Sequence, residues 1–298
     1  MECKLIMTAK DMENRDNWLH TRKMGIGGSD AAVIMGLSHW KTPARLWMEK
    51  TGRVEPDDIS DSEVVYWGTV LESVVADEFA KRTGKKVKKS GMYRSIKYPW
   101  MLASVDRMVI GERAGLECKT TTEFNKNTWN DNQGLGIPIA YYCQIQWYMT
   151  VLGYPKWYIA CLIGGQTYVW KEIPRDDVFI GELIMLSEKF WKCIKEDVCP
   201  EPDCSSDYGD LLRLEYGYTP KSVTRLDECL PNIERLEKLK SDRDFIDGEI
   251  TLEENKIKSA MKDFQIADVG PYRVKWTDTN RKYKDSDRVI RKFSYSKI

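Results

Sequence analysis

The stretch from residue 87 to residue 119 constrains this chain most. Four short runs, residues 87–94, 100–104, 107–110 and 115–119, read as strands separated by turn residues. Two long apolar segments bracket them. Residues 65–83 hold Trp67, Val70, Leu71, Val74, Val75, Ala76 and Phe79 and close on Gly84; residues 138–153 open on Pro138 and close on Gly153. Helices that are apolar nearly all round are normally buried, so both are expected to cover a sheet. Residues 120–137, rich in Thr, Asn and Gly, read as a loop; further on, residues 157–163 and 167–173 read as a strand pair around Gly164 and Gly165, and residues 174–196 as an amphipathic helix. The expected fold class is α/β (α+β), with a central mixed β-sheet flanked by helices.

The composition shifts near residue 200, where Pro200, Pro202, Ser205, Ser206 and Gly209 mark a linker. Residues 231–264 read as a long charged helix. Its Ile233, Leu236, Leu239, Ile246, Ile250 and Ile257 follow a coiled-coil-like spacing, interrupted by Arg243. Residues 272–277 resemble a strand, and the tail beyond is basic. The expected division is therefore a core domain over residues 1–200, and an appendage over 201–298 made of linker, C-terminal helical arm and β-hairpin-like tail.

Several chemistries are absent. There is no GxxxxGK[ST] loop, no GxSxG elbow and no HExxH pair, and the two histidines are His20 and His39. No stretch approaches the roughly 18–20 apolar residues of a membrane span, and the first residues lack a secretory pattern, so a cytoplasmic protein without membrane contact is expected. The eight cysteines include no CxxC pair, which suits reduced thiols; Cys193, Cys199 and Cys204 cluster at gaps wide and irregular for zinc or an iron–sulfur centre. The 46 basic residues balance the 46 acidic ones, yet charge is uneven locally. From Lys81 to Lys97 lie eight lysines and arginines and no acid, and the tail from Pro271 carries Arg273, Lys275, Arg281, Lys282, Lys284, Arg288, Arg291, Lys292 and Lys297. Such patches suit a polyanion, or else a solvated face.

The chemistry-bearing constellation is Ser104-Val105-Asp106 followed by Glu117-Cys118-Lys119. With Asp106 at the end of one strand and Glu117 and Lys119 on its neighbour, alternation puts the latter two on one face. A turn over residues 111–115 brings Asp106 alongside. Two converging carboxylates make a site for a hard cation such as magnesium, which is satisfied by two carboxylates, a backbone carbonyl and water. A lysine next to the ligand can orient the attacking water. Glu72 and Gln144 add to the case, because each lies in an apolar helix where a polar side chain needs a partner. The ordinary alternatives are an arginine partner for Glu72 and a backbone partner for Gln144.

Five motifs occur in order: Gly25-Ile26-Gly27-Gly28-Ser29-Asp30, Trp67-Gly68 with Glu72, Ser104 with Asp106, Glu117 with Lys119, and Tyr141-Tyr142 with Gln144 and Gln146. Together, over residues 15–200, they resemble the YqaJ family of viral recombination nucleases, related to the exonuclease of phage lambda, in the PD-(D/E)xK or restriction-endonuclease-like superfamily. Val105 stands where the superfamily's nominal proline would precede the first Asp.

The resemblance implies a restriction-endonuclease-like core and a metal-dependent 5′-to-3′ exonuclease acting on double-stranded DNA ends. It implies Asp106, Glu117, the Cys118 backbone carbonyl and Glu72 as ligands of one or two Mg²⁺ ions, with Mn²⁺ as the alternative. Lys119 would position the nucleophilic water and Gln144 would support the site. Arg22 and Ser29, seven residues apart like an Arg and a Ser in the lambda enzyme, would bind the terminal 5′-phosphate. A single-strand annealing recombinase as partner, and a homo-oligomer in the form of a trimeric ring, are implied as well. The rival readings are an endonuclease or flap nuclease on the same fold, a nuclease with an iron–sulfur cluster, and a non-catalytic DNA-binding or scaffold protein.

Overall fold

The computed structural model describes residues 2–59, 61–129, 134–217, 223–283 and 286–297, with residues 279–283 and 286–291 described as backbone only. The chain divides into two compact units, Met1–Thr219 and Pro220–Ile298.

The first unit is built on five strands. In chain order they are β2 (Val87–Lys89), β5 (Arg107–Val109), β6 (Gly115–Thr121), β7 (Lys156–Ile163) and β8 (Thr167–Pro174), and they lie in the sheet in the order β2-β5-β6-β7-β8. β6 and β7 run parallel and the other pairs antiparallel, so the sheet is mixed, as expected. β1 (Cys3–Met7), β3 (Met92–Ser95) and β4 (Leu102–Ser104) form a smaller sheet. The run 87–94 is thus two strands in two sheets: Ser90 and Gly91 break the pairing and let the chain change partners.

The helices are α1 (Arg15–Lys23), α2 (Gly28–Ile34), α3 (Pro43–Lys50), α4 (Glu63–Thr83), α5 (Lys126–Trp129), α6 (Ile139–Leu152), α7 (Asp177–Glu196) and α8 (Ser206–Tyr216). Alternation along β7 shows how they cover the sheet. Trp157, Ile159, Cys161 and Ile163 join the main core with α2, α3 and α6, while Tyr158 and Ala160 meet Val75, Ala76 and Phe79 of α4 on the other face. α4 and α6 end on Gly84 (φ 71°) and Gly153 (φ 67°), left-handed caps that any Cβ would strain.

Three expectations need correction. α6 is buried as its composition predicts, but α4 is not: only Val75, Ala76 and Phe79 are buried, and Val64, Tyr66, Trp67, Val70 and Val74 face outward. The helix meets the sheet along one stripe, Gly68, Glu72, Val75, Ala76 and Phe79, so its apolar composition exceeds what the sheet covers. Second, the segment after residue 200 is not only a linker. Thr42 donates to Asp207 at 2.6 Å, and α8 buries Tyr208 and Leu211, so the first unit runs past residue 200. Third, residues 120–137, expected as loop, contain α5; residues 130–133 lie outside the described residues.

The second unit holds α9 (Leu230–Met261) and a sheet in the order β11-β10-β9, from β9 (Ile266–Val269), β10 (Tyr272–Tyr283) and β11 (Ser286–Lys297). The hairpin of β10 and β11 matches the expected tail. Of its basic residues, Lys284 lies outside the described residues, and so do the side chains of Arg281, Lys282, Arg288 and Arg291.

Candidate active site

β6 carries the centre of the site. Leu116 and Cys118 pack toward α4, so alternation turns Glu117 and Lys119 to the opposite face, toward α6. Asp106 sits between β4 and β5, where the chain passes from the small sheet to the large one. Its Oδ2 accepts the Cys118 backbone N–H at 2.9 Å, which pins the carboxylate beside β6.

Glu117 is buried. Its Oε1 accepts Lys119 Nζ at 2.6 Å and Gln144 Nε2 at 2.9 Å. Its Oε2 is buried without a hydrogen-bond partner. A charged oxygen left that way is costly unless a cation meets it. Gln144 also accepts Lys119 Nζ at 3.2 Å and donates to Tyr148 Oη at 2.7 Å, so α6 fixes both strand residues. Lys119 Nζ lies 4.7 Å from the centre of the Tyr141 ring.

The electrostatics follow from this crowding. Burial, then the charges of Glu117 and Glu72, push the Asp106 carboxyl well above its usual range. Burial would lower the Lys119 ammonium, but Glu117 and Asp106 more than offset it and hold Lys119 charged. Burial, reinforced by Asp106 and Glu117, pushes the Cys118 thiol up, which leaves its side chain inert.

Glu72 has the arginine partner that the ordinary reading allowed. Arg107 Nη1 donates to Glu72 Oε1 and, at 2.9 Å, to the Asp106 backbone carbonyl. Among the described residues, no group of three His, Cys, Asp or Glu side chains forms a ready metal shell. Asp106 and Glu117 do fit a hard cation: both are oxygen donors, they repel one another, and one buried oxygen lacks a partner.

The N-terminal motif adjoins this centre. Arg22 Nη2 donates to Ser29 Oγ at 2.8 Å and to Asp30 Oδ1 at 2.9 Å, and Lys50 Nζ lies 2.9 Å from Asp30 Oδ2. A Cβ on Gly28 would meet the Tyr148 ring at 2.6 Å and Gln144 Cγ at 3.0 Å, so the glycine lets α2 lie against α6. Arg22 and Ser29 thus belong to a cluster one residue from groups that touch the carboxylates.

Sequence reasoning missed Arg107, Lys50 and the bridging role of Tyr148. Arg107 directly follows Asp106, and a basic residue there is the one signal that could have flagged it. Of the basic stretch, Arg82 and Lys85 are taken up by Glu78 and Glu112, while Lys86, Lys88 and Lys89 are exposed.

Comparison with known proteins places the chain among others. Residues 17–155 match the model of the YqaJ-like viral recombinase domain. A curated relative, the uncharacterized protein YqaJ of Bacillus subtilis (strain 168), is 42% identical over 276 residues, spanning 90% of this chain and 85% of the relative. The alkaline exonuclease LHK-Exo from Laribacter hongkongensis is similar in fold, with a TM-score of 0.50 at 16% identity over 61% of this chain and 93% of that one. Its complex with dAMP gives the same TM-score at 18% identity.

Proposed function

The chain belongs to the YqaJ-like viral recombinase family, and on that premise we propose that it is a metal-dependent nuclease that degrades duplex DNA 5′ to 3′ from 5′-phosphorylated ends. The observation that carries the reading is the meeting of Asp106 and Glu117 beside Lys119, with one Glu117 oxygen buried and unpartnered.

Asp106 and Glu117, with the Cys118 carbonyl, would hold Mg²⁺ or Mn²⁺. A bound ion would polarise a phosphoryl oxygen and lower the pKa of a coordinated water. Lys119 would position the attacking water and add positive charge where the transition state gathers negative charge. Gln144 keeps Glu117 and Lys119 in place. Glu72, whose Oε1 is held by Arg107, would complete the acidic cluster directly or through a second metal or water. Arg22 and Ser29 offer donors to the terminal 5′-phosphate, and the exposed lysines 86, 88 and 89 suit contact with the DNA backbone without sequence readout. The 3′ strands left behind are a substrate for a single-strand annealing recombinase, and the family resemblance points to a ring-shaped homotrimer in the cytoplasm.

The test is linear duplex DNA with a 5′-phosphate on one strand, with Mg²⁺ or EDTA, beside Lys119→Ala and closed circular DNA. Metal-dependent loss of the phosphorylated strand alone, absent in the variant, supports the proposal. Cutting of the circle replaces it with an endonuclease. No degradation with Mg²⁺, or with Mn²⁺ in its place, leaves a DNA-binding protein.

A further inference from the structure

The long helix α9 leaves an apolar stripe uncovered. Leu236, Leu239, Ile246 and Ile250 are 45–55% exposed, although Leu and Ile at 3- and 4-residue steps are the mark of a helix that packs on another. The stripe continues through Glu253 and Ile257, so residues 236, 243, 250 and 257 occupy one core position of a heptad and 239, 246 and 253 the other. Two of these core positions are charged: Arg243 and Glu253. Beside the C-terminal half of the stripe, Ile250, Ile257, Tyr272, Val274, Phe293 and Tyr295 line an apolar groove of about 480 Å³.

We propose that α9 is a homotypic interaction surface on which a second copy of this chain packs its own α9 antiparallel. The two charged core residues select both the partner and the direction. In a parallel pair in register, Arg243 would face Arg243 and Glu253 would face Glu253, which is repulsive twice over. In the antiparallel pair, core positions of opposite type meet. Arg243 of one copy then lies against Glu253 of the other, and the twofold axis repeats the pair. The same alignment sets Leu239 against Ile257, Ile246 against Ile250 and Leu236 against Ala260. One register thus satisfies both charges and every apolar core position together.

The flanking residues agree except at the centre. Lys240 meets Glu254 and Asp242 meets Lys256 across the pair, whereas Asp247 and Glu249 approach their own copies near the axis. Those central repulsions limit the affinity without changing the alignment. The groove is explained too, since the N-terminal half of the second copy's α9, with Leu236 and Leu239, would lie along Ile257 beside it. The contact is isologous, each copy giving one half of its helix and receiving the other, so it closes on two copies and would join chains of two separate rings rather than neighbours within one ring. The inference is independent of the nuclease reading, because it uses only residues of the second unit.

The test uses the full chain with exposed Cys204 and Cys229 changed to Ser. Leu239→Cys and Ile257→Cys chains are mixed and mildly oxidised. The proposal expects a disulfide between the two different chains and none in either chain alone. Adding Arg243→Glu to both partners should cut the cross-linked fraction about tenfold, as should Glu253→Arg, and the double swap should restore it. Leu239, Arg243 and Glu253 are exposed and Ile257 is half-buried at the edge of the groove, so the chain is expected to fold in each case. Self-cross-linking of Leu239→Cys would mean a parallel pair and overturn the proposal. So would the absence of any cross-link, or a double swap as weak as the single changes.

Discussion

Gln144 Nε2 lies 2.9 Å from Glu117 Oε1, so a helix residue fixes the aim of a strand carboxylate. The same amide's oxygen accepts Lys119. Gln144→Ala frees both residues, and the expected outcome is a loss of about 10–100-fold in metal affinity or kcat on 5′-phosphorylated duplex, with the fold intact. A titration of rate against Mg²⁺ checks it; an unchanged profile would show that the bridge is idle.

The surroundings of Asp106 resist a charge on its carboxyl. A carboxyl whose folded pKa is raised stabilises the protein at low pH and loses that contribution as pH rises through the usual carboxylate range and above. Asp106→Asn therefore should leave the melting temperature in EDTA at pH 7 unchanged or higher, since the Asn carbonyl still accepts the Cys118 N–H. Magnesium at about 100 times its Kd should stabilise the wild type by about 2.7 kcal/mol and leave this variant unmoved. Thermal melts with and without magnesium decide the matter.

Asp30 behaves in the opposite way. Burial raises its carboxyl, but Lys50 and Arg22 outweigh this and hold it well below the usual range. A depressed folded pKa gives stability that is present above the unfolded pKa and lost as pH falls through the folded value. Asp30→Asn should cost about 3 kcal/mol at pH 7, because it leaves Lys50 buried without its counter-charge. The difference should narrow below about pH 4. Urea midpoints at the two pH values report it, and a constant gap would refute the ion-pair account.

Two glycines should respond with opposite signs. Gly28→Ala puts a methyl against Tyr148 and Gln144 and should cost about 1–3 kcal/mol while slowing cleavage. Gly181, inside α7, has nothing within 4 Å of the same position, so Gly181→Ala should stabilise by up to about 1 kcal/mol and leave cleavage alone. Urea midpoints and initial rates for the two variants are the measurement.

Arg22 tests the end-recognition reading. Arg22→Lys keeps a charge beside Asp30 but loses the planar guanidinium whose Nη2 reaches Ser29 and Asp30 together while its other nitrogens stay available to a phosphate. The preference for 5′-phosphate over 5′-hydroxyl ends should fall about tenfold, with little change on hydroxyl ends. Competition between the two ends in one tube gives the ratio directly.

Local patterning carried much of this. Alternation alone placed Glu117 and Lys119 on one face of β6, because side chains on a strand must alternate. The ends of α4 and α6 were legible from Gly84 and Gly153, and the break between the two strands within residues 87–94 was not, since strand partners are chosen far along the chain.

Local rules set the kind of each element and the side-chain chemistry on each face, because propensity, caps and periodicity act over a few residues. Which face is covered, and which side chains meet, came from long-range packing. Trp67 and Val70 read as core and stand in the open, because the sheet covers only the face of α4 that carries Glu72, Val75, Ala76 and Phe79. Glu72 found Arg107 across 35 residues, and Gly28 found Tyr148 across the packing of α2 on α6. Burial and ion pairing are properties of surfaces brought together, and no local pattern encodes which surfaces those are.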